Sequence, residues 1–130
     1  MRDLYNRVDA AASLHPAARS ASANGTGVDL QGYEACEVVV EFGAWTDGTH
    51  TPKIQESDDN TTFTDVAAAD QLGSFTAVSS AAGQNAVQRV GYRGSKRYLR
   101  VVMTVAGATT GALSAAQVLR GCKRHRGTLV

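Results

Sequence analysis

The chain has 130 residues, one domain's worth, and a formal net charge of +1. With 43% hydrophobic and 19% charged residues it is composed like a globular protein rather than a disordered one, and its balanced charge argues against bulk attraction to nucleic acid or a membrane. No apolar run is long enough to cross a bilayer, and Met1 to Tyr5 lacks the apolar core of a secretory signal, so the expectation is a protein made and kept inside a cell until something releases it.

Residues 1 to 27 show little periodicity. Leu4, Val8 and Ala12 could share a helical face, but Pro16 ends it and so short a helix would be marginal in water. The segment is expected to be an extended arm, ordered against something else or against the domain's own edge. From Val28 the pattern changes. Val28 to Leu30 is a short strand, and Cys36 to Phe42 alternates: Cys36, Val38, Val40 and Phe42 point one way, with Glu37 and Glu41 opposite. Asp47-Gly48 marks a turn. Lys53 to Val66 then reads as a β-hairpin, because Ser57 to Thr61 carries the small polar side chains that bond nearby backbone groups and tolerate left-handed geometry.

Val66 to Leu72 is alanine-rich and closed by Gly73, which predicts one or two turns of helix. Phe75 to Val78 is expected as a strand, Ser79 to Asn85 as a loop, and Val87 to Tyr92 as a further strand. In Arg97 to Val105, Leu99, Val101, Met103 and Val105 share one face, opposite Tyr98, Arg100 and Thr104. A turn at Gly107 to Gly111 and a last strand, Leu113 to Arg120, complete the body. About eight short strands with one short helical segment and extended termini predict an all-β fold, a jelly-roll-like antiparallel β-sandwich. The division expected is an N-terminal arm over 1–27, a sandwich over 28–121 and a basic tail over 122–130.

Chemistry is harder to find. Cys36 and Cys122 are too few for a disulfide framework or a zinc site, and His15, His50 and His125 are scattered. Ser57 to Asn60 offers oxygen ligands for calcium but lacks EF-hand spacing, and a hairpin turn wants the same residues. There is no nucleophile elbow and no phosphate-cradling glycine loop, so the expectation is a non-enzyme without cofactor or metal. Arg89, Arg93, Lys96, Arg97 and Arg100, with Tyr92 and Tyr98, could form a nucleic-acid surface; alternating strands that put their charges in water are the favoured reading.

The hairpin Lys53 to Val66 and the block Lys96 to Val105 resemble parts of discoidin-type carbohydrate-binding sandwiches, although Trp45 is the only tryptophan available to stack a sugar. A broader resemblance runs from Val28 to Gly121. The Glu56-Ser57-Asp58-Asp59 turn, the Val66 to Gly73 segment and the Tyr92 to Arg100 block occur together, in order, as in the decoration or cement proteins of tailed-bacteriophage heads.

That resemblance implies a structural virion protein on the outer capsid surface, made in the bacterial cytoplasm, that clamps major capsid protein subunits. Self-association into a homo-oligomer is expected, without nucleic-acid or membrane partners. Expected capsid contacts are Leu4, Tyr5 and Val8 of the arm and Arg120, Lys123, Arg124 and Arg126 near the tail. Removing residues 1 to 20 should then leave a folded domain that no longer binds capsids. The alternatives are the discoidin-like binder and a low-copy head-completion or tail-associated virion protein.

Overall fold

In the computed structural model, residues 1–123 are described, the last of them in its backbone alone. Among the described residues there are ten strands: β1 (Val8–Arg19), β2 (Ala23–Asn24), β3 (Val28–Asp29), β4 (Tyr33–Trp45), β5 (Thr49–Ser57), β6 (Thr64–Asp65), β7 (Gln71–Leu72), β8 (Val87–Tyr92), β9 (Tyr98–Ala106) and β10 (Ala112–Lys123). They form two five-stranded sheets, the first in the order β1-β10-β4-β8-β7 and the second in the order β2-β9-β5-β6 with β3 also on β9. Every pairing is antiparallel.

The core is what the alternation dictates. Val38, Val40 and Phe42 of β4, with Ala116 and Val118 of β10 and Val90 of β8, face Ile54 of β5 and Leu99, Val101 and Met103 of β9. Each large side chain buried this way is worth about 1.5–3 kcal/mol, so the two central strand pairs supply most of what holds the sheets together.

The segment expected as an arm lies along the domain's own edge from Val8 to Arg19, paired with β10 from Val8↔Gly121 to Arg19↔Ala112. Register shifts between Ala12 and Leu14 and between Leu14 and Ala17 interrupt the strand. At the first shift Ser13 and Leu14 both become buried. Removing residues 1 to 20 would therefore strip an edge strand and buried Leu14, which argues for a destabilised body rather than an intact one.

The hairpin forms as its residues require. Ser57 Oγ accepts the Asp59 and Asn60 amides at 3.1 and 2.9 Å, while Asp59 Oδ1 accepts those of Thr61 and Thr62, each at 2.9 Å. Asn60 takes the left-handed conformation at φ 61°.

Two other segments differ from the expectation. Ala68–Asp70 forms a single 3-10 turn, after which Gln71 and Leu72 pair with Tyr92 and Gly91. The ladder offered by β8 outweighs alanine's preference for helix. Phe75 to Val78 does not form a strand and pairs by backbone with β5 at a His50–Val78 bridge. Gln88 takes the place of a partner strand, accepting the Thr76 amide at 2.8 Å and donating to its carbonyl at 2.9 Å.

Candidate functional site

The contact residues expected at the N-terminus lie on a short turn ahead of β1. The Arg7 and Val8 amides both donate to the Leu4 carbonyl, at 3.0 and 3.2 Å, and Asn6 N–H donates to Asp3 Oδ1 at 3.3 Å. Leu4 and Tyr5 project from this turn with 71% and 88% of their surface exposed. Val8 is half-buried and opens the strand. The turn thus presents two large apolar side chains to solvent on a backbone that is already bonded.

Arg120 is used internally. Its guanidinium lies 4.8 Å from the centre of the Tyr33 ring, and Nη1 donates to the Asp29 carbonyl at 3.0 Å. Tyr33 donates its hydroxyl to Asp9 of β1, which raises the tyrosine's pKa. Asp29 in turn receives Arg97 Nε and Nη2 at 3.0 and 2.9 Å, and this paired hydrogen bond holds its carboxyl below the usual range. The chain Asp9–Tyr33–Arg120–Asp29–Arg97 links both sheets, so Arg120 braces the fold. Lys123 closes β10 opposite Tyr33 in its backbone; Arg124 and Arg126 lie outside the described residues. Sequence reasoning missed Asp9, Asp29 and Tyr33 because nothing local marks them: their partners are 24 to 91 residues away.

Beside this brace is an open cleft of about 590 Å³ between residues 30–36 and 92–97. Tyr92 lines it, donating to Glu56 Oε1 at 2.7 Å and accepting the Lys96 amide at 3.1 Å. Burial first, then Glu56, pushes the Tyr92 pKa up. Lys96 pairs with Asp58 at 2.8 Å. Cys36 is the one thiol on the wall, and burial pushes its pKa up to about 12, so it is held as the unreactive thiol.

The basic cluster is engaged throughout. Arg89 holds Glu37 at 3.3 Å and Arg93 donates to the Ala69 carbonyl at 3.2 Å, in addition to the Lys96 and Arg97 pairs. Arg100 donates to Gln55 Oε1 at 3.0 and 2.7 Å and stacks 4.1 Å from the Phe63 ring centre. Each cation has an internal partner that a phosphate would have to displace. Trp45 is half-buried against the core, with Nε1–H on the Gly48 carbonyl at 2.9 Å. It is not presented as a stacking platform.

These features define a class: a two-sheet antiparallel sandwich whose charged groups mostly brace the body and whose N-terminal turn is apolar and exposed. The chain belongs to the Bbp16 family, whose model matches residues 9–118. Among solved structures it is similar to the PBSX exported protein XepA, with a TM-score of 0.59 and 21% identity over all of this chain and 42% of XepA, so that it spans less than half of that protein's length. It is also similar to the SPBc2 prophage-derived protein YomS, with a TM-score of 0.50 and 14% identity over 88% of this chain and 95% of YomS. No curated protein matches the sequence.

Proposed function

We propose that the protein is a structural component of a tailed-phage particle, bound to the outer surface of the capsid, where it stabilises contacts between major capsid protein subunits. The observation that carries this reading is the exposed pair Leu4 and Tyr5 on a bonded turn at the head of an edge strand. An apolar turn held ready outside a rigid body is suited to insertion between neighbouring subunits, and only a few residues lose conformational freedom on docking. Many copies on one lattice would add weak contacts into a firm coat, and self-association between neighbours would add to the same effect. The prophage origin of YomS and the resemblance of the motif order to that of phage decoration proteins favour the same reading.

The test uses capsid shells of the encoding phage prepared without this protein. Wild type added back should bind in many copies and raise the temperature at which the shells disrupt. A form lacking residues 1–7 should keep its fold and lose most of its occupancy. Equal occupancy by the truncated form would remove the N-terminal turn from the interface. Failure of the wild type to bind at all would remove the shell.

A further inference from the structure

The two outer faces of the sandwich differ in kind. On the second sheet the outward positions are mainly polar and interlocked, with Val102 covered among them: Lys53 and Gln55 of β5 both reach Asp65, and Arg100 of β9 reaches Gln55. Thr51 and Thr104 face each other farther along. This is the ordinary solvent face of an antiparallel sheet.

The first sheet is different. Its register aligns Val39 with Gln117 and Arg89, Glu41 with Ala115 and Val87, and Glu37 with Leu119 and Gly91, all pointing away from the core. Leucines from neighbouring strands lie flat over glycines. A Cβ on Gly43 would sit 2.9 Å from Leu113 Cβ, and one on Gly91 would sit 3.2 Å from Leu72 Cβ. Among the described residues, the exposed large hydrophobics include Leu72 (55%), Val87 (62%) and Leu113 (47%) on this face; Met1, Leu4 and Tyr5 lie in the segment leading into its edge strand, and none lies on the second sheet. A shallow hollow of about 220 Å³, bordered by Ala12, Pro16, Val39 and Ala115, is set into the same sheet. Large exposed apolar side chains set among charged ones on one face only, on the sheet whose edge strand follows an apolar turn, mark an interaction site.

Charge narrows the partner. Glu37 is neutralised by Arg89 on the same face. Glu41 is exposed beside the hollow, and no described residue pairs with it. Covering this face would strip water from an unpaired carboxylate unless the partner supplied a cation. In a symmetric pair of copies the same face would bring up a second Glu41 and an Arg89 already engaged by Glu37. An anionic lipid surface would repel Glu41.

We propose that the outer face of the first sheet is the seat of this protein on its shell, and that the surface it covers is a flat apolar patch of capsid protein carrying a lysine or arginine opposite Glu41. This rests on the shell-binding reading above and adds to it the face and the chemistry of the partner.

The test compares Glu41→Lys and Leu113→Lys with Thr51→Lys on the opposite sheet, by occupancy on shells prepared without the protein. All three positions are solvent-exposed, so all three variants should fold, as circular dichroism and thermal melting would verify. The first two should each lose at least about tenfold in apparent affinity, with Thr51→Lys close to wild type. Wild-type binding with undiminished binding by Glu41→Lys and Leu113→Lys would overturn the face while leaving the shell-binding reading standing. No binding by any form, wild type included, would sink both. Sedimentation showing a dimer that Leu113→Lys dissociates, with shell occupancy unchanged, would assign the face to a second copy and overturn the proposal.

Discussion

The Ser13 hydroxyl accepts the Val101 amide at 2.9 Å across the interior of the sandwich. Ser13 belongs to an edge strand of one sheet and Val101 to the central strand of the other, 88 residues apart. The same hydroxyl donates to the Thr26 carbonyl at 2.9 Å, and the Thr26 amide returns a bond to the Ser13 carbonyl at 2.7 Å. The irregularity in β1 turns a small polar side chain inward, where it satisfies backbone groups the ladders leave open.

Ser13→Ala should therefore be more costly than its single oxygen suggests. It leaves a buried amide and a carbonyl without their partner, a loss of about 2 kcal/mol. Urea unfolding of the variant should show a lower midpoint with unchanged slope. A midpoint equal to wild type would mean that water replaces the hydroxyl.

Truncation should separate the turn from the strand. Removing residues 1–7 takes away exposed side chains and should change stability by less than about 0.5 kcal/mol. Removing residues 1–19 also takes β1, uncovers β10 and deletes buried Leu14, and should abolish cooperative thermal unfolding. A sharp transition in the shorter form would show that the remaining strands are self-sufficient.

Acid should loosen the loops before the core. Asp47 accepts the amides of Gly111, Thr109 and Thr110, with the Gly111 bond shortest at 2.6 Å, and these bonds, led by that from Gly111, hold its pKa below the ordinary value. Asp59 is lowered by the Thr62 and Thr61 amides in the same way. A depressed folded pKa contributes stability above the unfolded value of about 3.9 and loses it as pH falls through the folded value. The stability gap between wild type and Asp47→Asn should thus be level from about pH 5 to 7 and close below about pH 4. A gap independent of pH down to acid unfolding would contradict the assignment.

The two thiols should react apart. Cys122 is exposed, whereas Cys36 is largely buried with its pKa pushed up to about 12. Alkylation of the native protein at pH 8 should label Cys122 alone, and Cys36 should follow only in denaturant. Labelling of both at similar rates would mean that the wall of the 30–36 cleft opens readily.

Much of the fold was legible because its central strands obey a simple period. β4 and β9 alternate large apolar with polar side chains, and the Ser57–Thr62 turn carries residues that form that turn through their own side chains. β1 was opaque for physical reasons. Its apolar residues are mostly alanines, which give little contrast between faces; Pro16 interrupts it; and its register shifts break the period of two. The expected contact residues divide likewise. Leu4 and Tyr5 stand out as large apolar groups in a polar stretch, and they are exposed. Arg120, an expected capsid contact, has internal partners the sequence does not reveal, because Tyr33 and Asp29 come from distant parts of the chain. The apolar face of the first sheet was not read at all, since it is assembled from single positions on separate strands.

The order of β1, β10 and β4 in the first sheet has a bearing on synthesis. Val8 must wait for Gly121, and the strand that separates β1 from β4 is the last of the ten to be made. While the chain is growing, β1 and β4 each have an open flank that no earlier segment can cover, so closure of this sheet is necessarily a late event with a long loop to shut. A nascent chain halted on the ribosome before residue 112 should consequently be a chaperone substrate, and one halted with residues 112–123 clear of the exit tunnel should not.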